Sequence, residues 1–405
     1  MPNYVIIGAS HAGLSFAEKM RQHGMEDPIT VIDRLHGMPM QRPPLSKAFL
    51  GADETQEDNF YLRRSDWFDE QNITLKDGLD VIKIDREQKQ LHLADGSLQN
   101  YDRLVLAQGA VPRRLPFPEM NSQGVHVLRH GDDARAIKAM IGQLQRAIVI
   151  GGGYIGLEAA ASLNKAGLDV TVIEAADRLL ARVASPSMSD YYKQLHQDNG
   201  VKIELAALVD GLQAEDGHIR AVCLKDGRIL PCDLLLVGIG VVPDTALAEQ
   251  AGLTIGNGIL TDYHYQTNDD SIWAIGDIVL AEGRGSQRIE SIHNAQFSGH
   301  YLASQFSDGS PPANEASWFW SDQFDRKLQS AGLVPAIDDT VVQVSRTGRR
   351  EASLSIWSYQ AGKLVAVEAV NDPQAYMIGK ICLEQNKHPE PSDIGNADFD
   401  LKSLR

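Results

Sequence analysis

The sequence predicts an α/β protein made of two similar βαβ halves and completed by an α+β domain at its C-terminal end. Three observations carry that expectation. Apolar strand-like runs alternate with helical stretches twice, over residues 4–33 and 147–174, and each passage holds a glycine-rich turn. Short β-rich segments with Asp-Gly turns follow both passages. The chain after Pro311-Pro312, a linker by composition, reads instead as strands at Thr340–Ser345, Leu354–Tyr359 and Leu364–Val370.

In chain order, Tyr4–Gly8 (YVIIG) is a short unbroken apolar run, the pattern of a strand buried on both faces. Leu14–His23 has helical spacing and good helix formers, and Ile29–Ile32 (ITVI) is a second strand closed by Asp33. Residues 73–106 alternate β-rich segments with a turn at Asp95-Gly96, as a meander would. The plan then repeats. Ala147–Ile150 (AIVI) runs into GGGYIG at 151–156, an Ala-rich helix follows, and Val170–Ile173 (VTVI) closes on Glu174. Residues 201–237 supply the second meander, with turns at Asp216-Gly217 and Asp226-Gly227. A repeated plan of this kind implies two related halves.

Composition narrows the function classes. The 405 residues suit two or three domains, and 43% hydrophobic with 23% charged residues is ordinary for a globular chain. With 38 basic and 54 acidic residues, the formal net charge of −16 argues against broad binding to nucleic acid or a membrane surface. Cys223, Cys232 and Cys382 are too few and too scattered for a disulfide framework, and no CxxC occurs. No apolar run approaches the ~18–20 residues of a membrane span. The N-terminus has no basic segment before its first strand, so no signal peptide and a cytoplasmic location are expected. No metal site is expected.

GGGYIG carries chemistry. Gly151, Gly153 and Gly156 hold the G-x-G-x-x-G positions between a strand and a helix, with Tyr154 and Ile155 between them. The first glycine makes the tight turn, the second lets backbone approach a pyrophosphate, and the third lets helix and strand close up. The pyrophosphate then meets the helix N-terminus. Glu174 stands where a carboxylate binds a ribose 2′-hydroxyl and repels a 2′-phosphate, so NADH is favoured over NADPH. The first turn, GASHAG, keeps Gly8, Gly13 and the acidic strand end Asp33, but Ser10 replaces the middle glycine. Serine is small, and its hydroxyl can itself bond a phosphate oxygen. His11 is read as an exposed first-turn residue rather than as a catalyst.

Further motifs occur in order along the chain: RPPLSK at 42–47, YLR at 61–63, DRLVLAQGAVPRRLP at 102–116, VIGGGYIGLE at 149–158, VGIGVVPD at 237–244, AIGDI at 274–278, IESIHNA at 289–295 and WFWSDQ at 318–323. Together they resemble the flavoprotein reductases that serve oxygenase systems, the NADH-dependent ferredoxin, putidaredoxin and rubredoxin reductases. The resemblance covers essentially the whole chain. It implies two Rossmann-like dinucleotide-binding domains in a glutathione-reductase-like arrangement: an FAD-binding domain over 1–110 and 241–312, an NADH-binding domain over 111–240 and an α+β domain over 313–405.

The resemblance also implies roles. GASHAG, with Gly8, Ser10, His11, Ala12 and Gly13, becomes the FAD pyrophosphate turn, and Asp33 with Arg34 meets the adenosine ribose. Lys47 lies beside the flavin ring and Arg42 faces its side; Val81 contacts adenine through its backbone; Arg129 of VLRHGDDA reaches the cofactor. Gly276 and Asp277 hold the ribityl chain and diphosphate, Ile292 lies at the pyrimidine edge, and Trp320 caps the flavin, whereas Trp318 is read as a core aromatic. Glu158 lies near the nicotinamide, where it can pair with Lys47, and Gly238 and Gly240 join the NAD site. Gln108 stands where relatives usually have threonine, so altered local hydrogen bonding is expected there rather than lost FAD.

A flavin reconciles a hydride donor with one-electron carriers. The expected partners are therefore NADH and a small [2Fe-2S] ferredoxin, or a rubredoxin, with an oxygenase downstream. The cysteine pair of disulfide reductases is absent from QRPPLSK, and the scattered cysteines are read as structural. Arg63-Arg64, Arg113-Arg114 and Arg346 with Arg349-Arg350 are candidate basic patches for an acidic carrier. The rival readings are an NADH oxidase and a signalling flavoprotein.

Overall fold

The computed structural model describes residues 1–51, 54–285, 288–307, 309–313 and 315–405. The chain forms two compact units, one of Met1–Gln41, Asp53–Val111 and Val241–Ala313, the other of Arg42–Ala52, Pro112–Gly240 and Asn314–Arg405. Among the described residues, no helix is long and apolar enough to cross a membrane.

The first unit is built on a parallel sheet in the order Ile272–Ala274, Arg103–Leu106, Tyr4–Ile7, Ile29–Ile32, Ile73–Lys76. Tyr4–Ile7 is buried at every residue, which is why it reads as an unbroken apolar run. Helix His11–Gln22 lies against helix Ile292–Phe306, and Gly299 permits the contact: a Cβ there would stand 2.7 Å from the Ala12 carbonyl oxygen. The expected meander over 73–106 is shorter than its span. Only Val81–Asp85, Gln90–Leu93 and Leu98–Asn100 form it, while the two end strands belong to the parallel sheet. Local pattern does not distinguish a meander strand from a sheet strand entered through a crossover.

The second unit repeats the plan with parallel strands in the order Lys202–Glu204, Asp169–Ile173, Arg146–Ile150, Leu234–Val237, Val125–His126. Val209–Glu215, His218–Leu224 and Ile229–Pro231 form its antiparallel meander. Burial of Cys232 pushes its thiol up to about 12, and burial also raises that of Cys382, so both are inert packing residues.

The C-terminal part of this unit is an antiparallel sheet in the order Trp318–Gln323, Arg326–Gly332, Lys363–Val370, Leu354–Gln360, Val341–Thr347. Helix Pro373–Glu384 lies on it, with Trp357, Val367, Ile378 and Cys382 closed off from water. The three expected strands are present, and the hairpin Trp318–Gln323/Arg326–Gly332 adds to them without a sequence signal. Its turn, Phe324-Asp325, lacks the glycine or asparagine of a hairpin signal, and Phe324 itself takes a φ of 54°. Two side chains tie this region down. Arg346 donates to the backbone carbonyls of Ile394, Asn396, Ala397 and Phe399. It therefore clamps the C-terminal segment. Glu368, wholly buried on Lys363–Val370, accepts from the Ser185 N–H at 3.2 and 3.3 Å, and burial pushes its carboxyl up to about 7.

Candidate active site

The two glycine turns match in detail. Gly8 has a φ of 108° and Gly151 of 110°; a Cβ would fall 2.5 Å from the Ala107 oxygen in one and 2.3 Å from the Gly238 oxygen in the other. Gly13 and Gly156 bring each helix against its own turn, where a Cβ would lie 2.2 Å from the Gly8 oxygen or 2.1 Å from the Gly151 oxygen. The middle position differs. Gly153 has φ −80° and ψ 175°, and nothing lies within 4 Å of where its Cβ would stand. An ordinary side chain fits that geometry, and Ser10 takes it at φ −105° and ψ −164°. The serine thus leaves the turn intact, and its hydroxyl does not cap the helix behind it.

Each acidic strand end holds its turn. Asp33 accepts from Ala9 N at 2.6 Å and Leu35 N at 2.9 Å, and Glu174 from Gly152 N at 2.6 Å and Ala176 N at 2.8 Å. Both carboxylates therefore have a structural duty beside any ligand contact. Both turns present the positive end of a helix with close-approach glycines, a donor set suited to a dinucleotide pyrophosphate.

In the first unit, Gly276 at φ 78° approaches the first turn, since a Cβ there would lie 2.8 Å from the Ala12 Cβ; its N–H donates to Ser298 Oγ. The Asp277 carbonyl accepts from Arg288, a residue that motif reading passed over. Ile292 opens its helix behind the capping hydroxyl of Ser291. Arg34 pairs with Asp244 at 2.9 Å, and Val81 begins its strand in a buried position. Gln108 is half-buried, and its Oε1 finds no hydrogen-bond partner among the described residues. His11 departs from expectation, being buried at 8% exposure.

In the second unit, Lys47 Nζ lies 2.9 Å from Glu158 Oε1, with side chains 15% and 3% exposed. RPPLSK places the lysine there because Pro43–Ser46 forms a tight 3-10 turn with Arg42 leading it and Lys47 ending it. Two hydroxyls complete the carboxylate's shell: Ser46 Oγ donates to Oε2 and Ser321 Oγ to Oε1, each at 2.6 Å. Burial raises the Glu158 carboxyl above its usual range, while Lys47, Ser321 and Ser46 pull it back. Ser46 and Ser321 carry no signal of their own in the sequence, although they lie within RPPLSK and WFWSDQ.

Around this pair, Tyr154 begins helix Tyr154–Lys165 with its ring 4.6 Å from that of Phe319, and Ile155 is exposed. The Arg129 N–H donates to Asp133. Gly240 has a φ of 96° and its carbonyl accepts from Arg113 N, while Gly238 closes on the Ile150 strand. Trp318 and Trp320 are both half-buried with ring centroids 5.5 Å apart, so Trp318 is not the core aromatic expected. Among the described residues, no cluster of side chains could hold a metal ion.

Known proteins bear on this arrangement. Residues 2–299 match the family model of pyridine nucleotide-disulphide oxidoreductases, and residues 318–405 match that of the reductase C-terminal domain. Rhodocoxin reductase of Rhodococcus erythropolis is 39% identical over 401 residues, covering 98% of this chain and 93% of that protein. A ferredoxin reductase from Rhodopseudomonas palustris superposes with a TM-score of 0.94 at 36% identity, over 100% of this chain and 99% of the other. The putidaredoxin reductase of a covalent putidaredoxin reductase–putidaredoxin complex does so with a TM-score of 0.94 at 35% identity, over 100% and 98%. Paired glycine turns, a buried lysine–glutamate pair and end-to-end similarity agree: the chain belongs to the pyridine nucleotide-disulphide oxidoreductase family, among members that carry a reductase C-terminal domain.

Proposed function

We propose that this protein is an FAD-containing, NADH-dependent reductase of a small [2Fe-2S] ferredoxin that feeds an oxygenase. The observation that carries the reading is the buried Lys47–Glu158 pair, fixed by Ser46 and Ser321, in a chain with two acid-locked glycine turns. The domain over 1–110 and 241–312 takes FAD through Gly8, Ser10, His11, Ala12, Gly13, Asp33, Arg34, Val81, Gly276, Asp277 and Ile292. Arg42, Lys47, Arg129 and Trp320 serve the same cofactor. The domain over 111–240 takes NADH through Gly151, Gly153, Tyr154, Ile155, Gly156, Glu174, Gly238 and Gly240, and 313–405 is the α+β domain. The work is cytoplasmic, where NADH is at hand.

When bound, the flavin supplies the conversion of a hydride donor into a source of single electrons. The chain supplies charge and position. Lys47 offers an ammonium that favours negative charge on the reduced ring, and Glu158 holds that ammonium in one place. No side chain has to act as a nucleophile or general base.

Stopped-flow mixing of anaerobically NADH-reduced holoprotein with a [2Fe-2S] ferredoxin, a rubredoxin or oxygen-containing buffer tests the reading. Rapid ferredoxin reduction is expected. Fast consumption of oxygen with indifference to both carriers would make the protein an oxidase instead.

Two substitutions separate the halves. Gly13→Ala drives a Cβ into the Gly8 carbonyl and is expected to yield colourless protein. Gly156→Ala does the same to the Gly151 carbonyl and is expected to keep the yellow cofactor while KM for NADH rises about tenfold or more. Glu174→Ala removes the acceptor of Gly152 N–H and the proposed ribose contact. The ratio of kcat/KM for NADH over NADPH is expected to fall about tenfold or more in steady-state assays.

A further inference from the structure

Ser321, besides its bond to Glu158, is the near end of a longer buried file. Ser321 Oγ donates to Glu158 Oε1 at 2.6 Å, Gln323 Nε2 donates to Ser321 Oγ at 3.1 Å, and His196 Nε2 lies 2.8 Å from Gln323 Oε1. Every member is closed to water: Glu158 is 3% exposed, Gln323 1%, Ser321 and His196 0%. Three elements contribute, helix Tyr154–Lys165, strand Trp318–Gln323 and helix Pro186–Asp198. Ser321 and Gln323, two apart on the strand, share its buried face.

Hydrogen-bond arithmetic gives the file one direction. An ionised carboxylate only accepts, so Ser321 must spend its single O–H on Glu158. The serine oxygen then needs a donor, which turns the Gln323 amide nitrogen toward it and the amide oxygen toward His196. An amide oxygen only accepts, so His196 Nε2 must carry a proton. Nδ1, which is buried and has no hydrogen-bond partner among the described residues, is then a bare lone pair rather than an orphaned N–H. Reversing the amide would set the unshared oxygens of Ser321 and Glu158 against each other and place an unsatisfied N–H at Nδ1. Desolvation lowers the basicity of the His196 ring, which keeps it neutral.

We propose that Ser321, Gln323 and His196 are positioning residues, a one-way buried file that holds Glu158 ionised and in register with Lys47, so that the charge state of Glu158 and the tautomer of His196 are locked together. The file polarises and orients. It does not conduct protons, because the amide in its middle cannot relay one without leaving its stable form. The consequence for flavin potential rests on the proposed function; the direction of the file does not.

Long-range 1H–15N NMR on the full-length protein, with His196→Gln for assignment, reads the far end directly. The neutral Nε2–H form is expected, and an Nδ1–H form would overturn the proposal. In Glu158→Gln the His196 resonances are expected to shift although the two residues do not bond to each other; an unchanged spectrum would overturn the coupling. Gln323→Met should move the midpoint potential of bound flavin positive, in the same direction as Glu158→Gln, and no movement would remove the positioning role. If Gln323→Met does not fold, the tautomer in the unsubstituted protein still decides. Flavin absorbance of the same NMR sample tests the functional reading separately: colourless protein with an Nε2–H His196 would overturn that reading and support the file.

Discussion

Lys47→Met is expected to slow NADH-driven reduction of the bound flavin by about 10²-fold, the scale of losing one preorganised charge in a closed site. It should also destabilise the protein, since Glu158 at 3% exposure would lose the cation 2.9 Å away. An uncompensated buried charge costs about 3–5 kcal/mol. The sign with pH follows from Glu158, whose folded-state carboxyl burial already raises. Without Lys47 it rises further, so the folded form holds a proton that the unfolded chain gives up. The penalty is therefore small near pH 4 and grows as pH climbs through and above the usual carboxylate range. Thermal melts at pH 5 and pH 8 read this, and stopped-flow absorbance reads the rate. Lys47→Met with Glu158→Gln should recover much of the stability and none of the rate. A single variant with unchanged reduction kinetics would remove Lys47 from the site.

Glu368→Gln is expected to make the protein more stable at pH 8, against the usual direction for a buried substitution. Burial moves the Glu368 carboxyl from 4.5 to about 7. A raised carboxyl lets the folded state keep its proton while the unfolded state ionises, so stability is lost as pH rises between those two values. The shift corresponds to about 3 kcal/mol above pH 7. Glutamine keeps an acceptor for the Ser185 N–H and does not ionise. The melting temperature of the variant relative to the parent should climb from pH 4.5 to pH 7 and level off beyond. Any cost of the new amide N–H groups is a constant offset that leaves the slope untouched. A pH-independent difference would show that Glu368 is not the titrating group.

Local chain patterns made both glycine turns and their acidic ends legible, because strand, turn, helix and strand end follow one another directly in sequence. Ser10 looks like a defect in the motif, but its backbone angles show that the middle position needs no positive φ. The Lys47–Glu158 pairing came from the resemblance alone, since nothing local joins two residues so far apart. Ser46 and Ser321 escaped notice because a small hydroxyl carries no periodic signal, and Gln323 and His196 because such polar residues usually mark surface. The basic patches divided in the same way. Arg63 pairs with Glu18 and Arg346 bonds to carbonyls of its own chain, whereas Arg349 and Arg350 are exposed. Only packing shows which of these arginines is tied to its own chain. His11 failed for a related reason: a first-turn position is exposed only where nothing covers it.

The serine that reaches Glu158 from the hairpin Trp318–Gln323/Arg326–Gly332 has a bearing on engineering. Exchanging the last ninety or so residues with those of a relative would transplant half of an electrostatic circuit whose other half stays behind. Chimeras are expected to work where the donor brings both the hydroxyl and the amide and the recipient keeps the imidazole. Elsewhere they should fold and hold cofactor, yet run sluggishly.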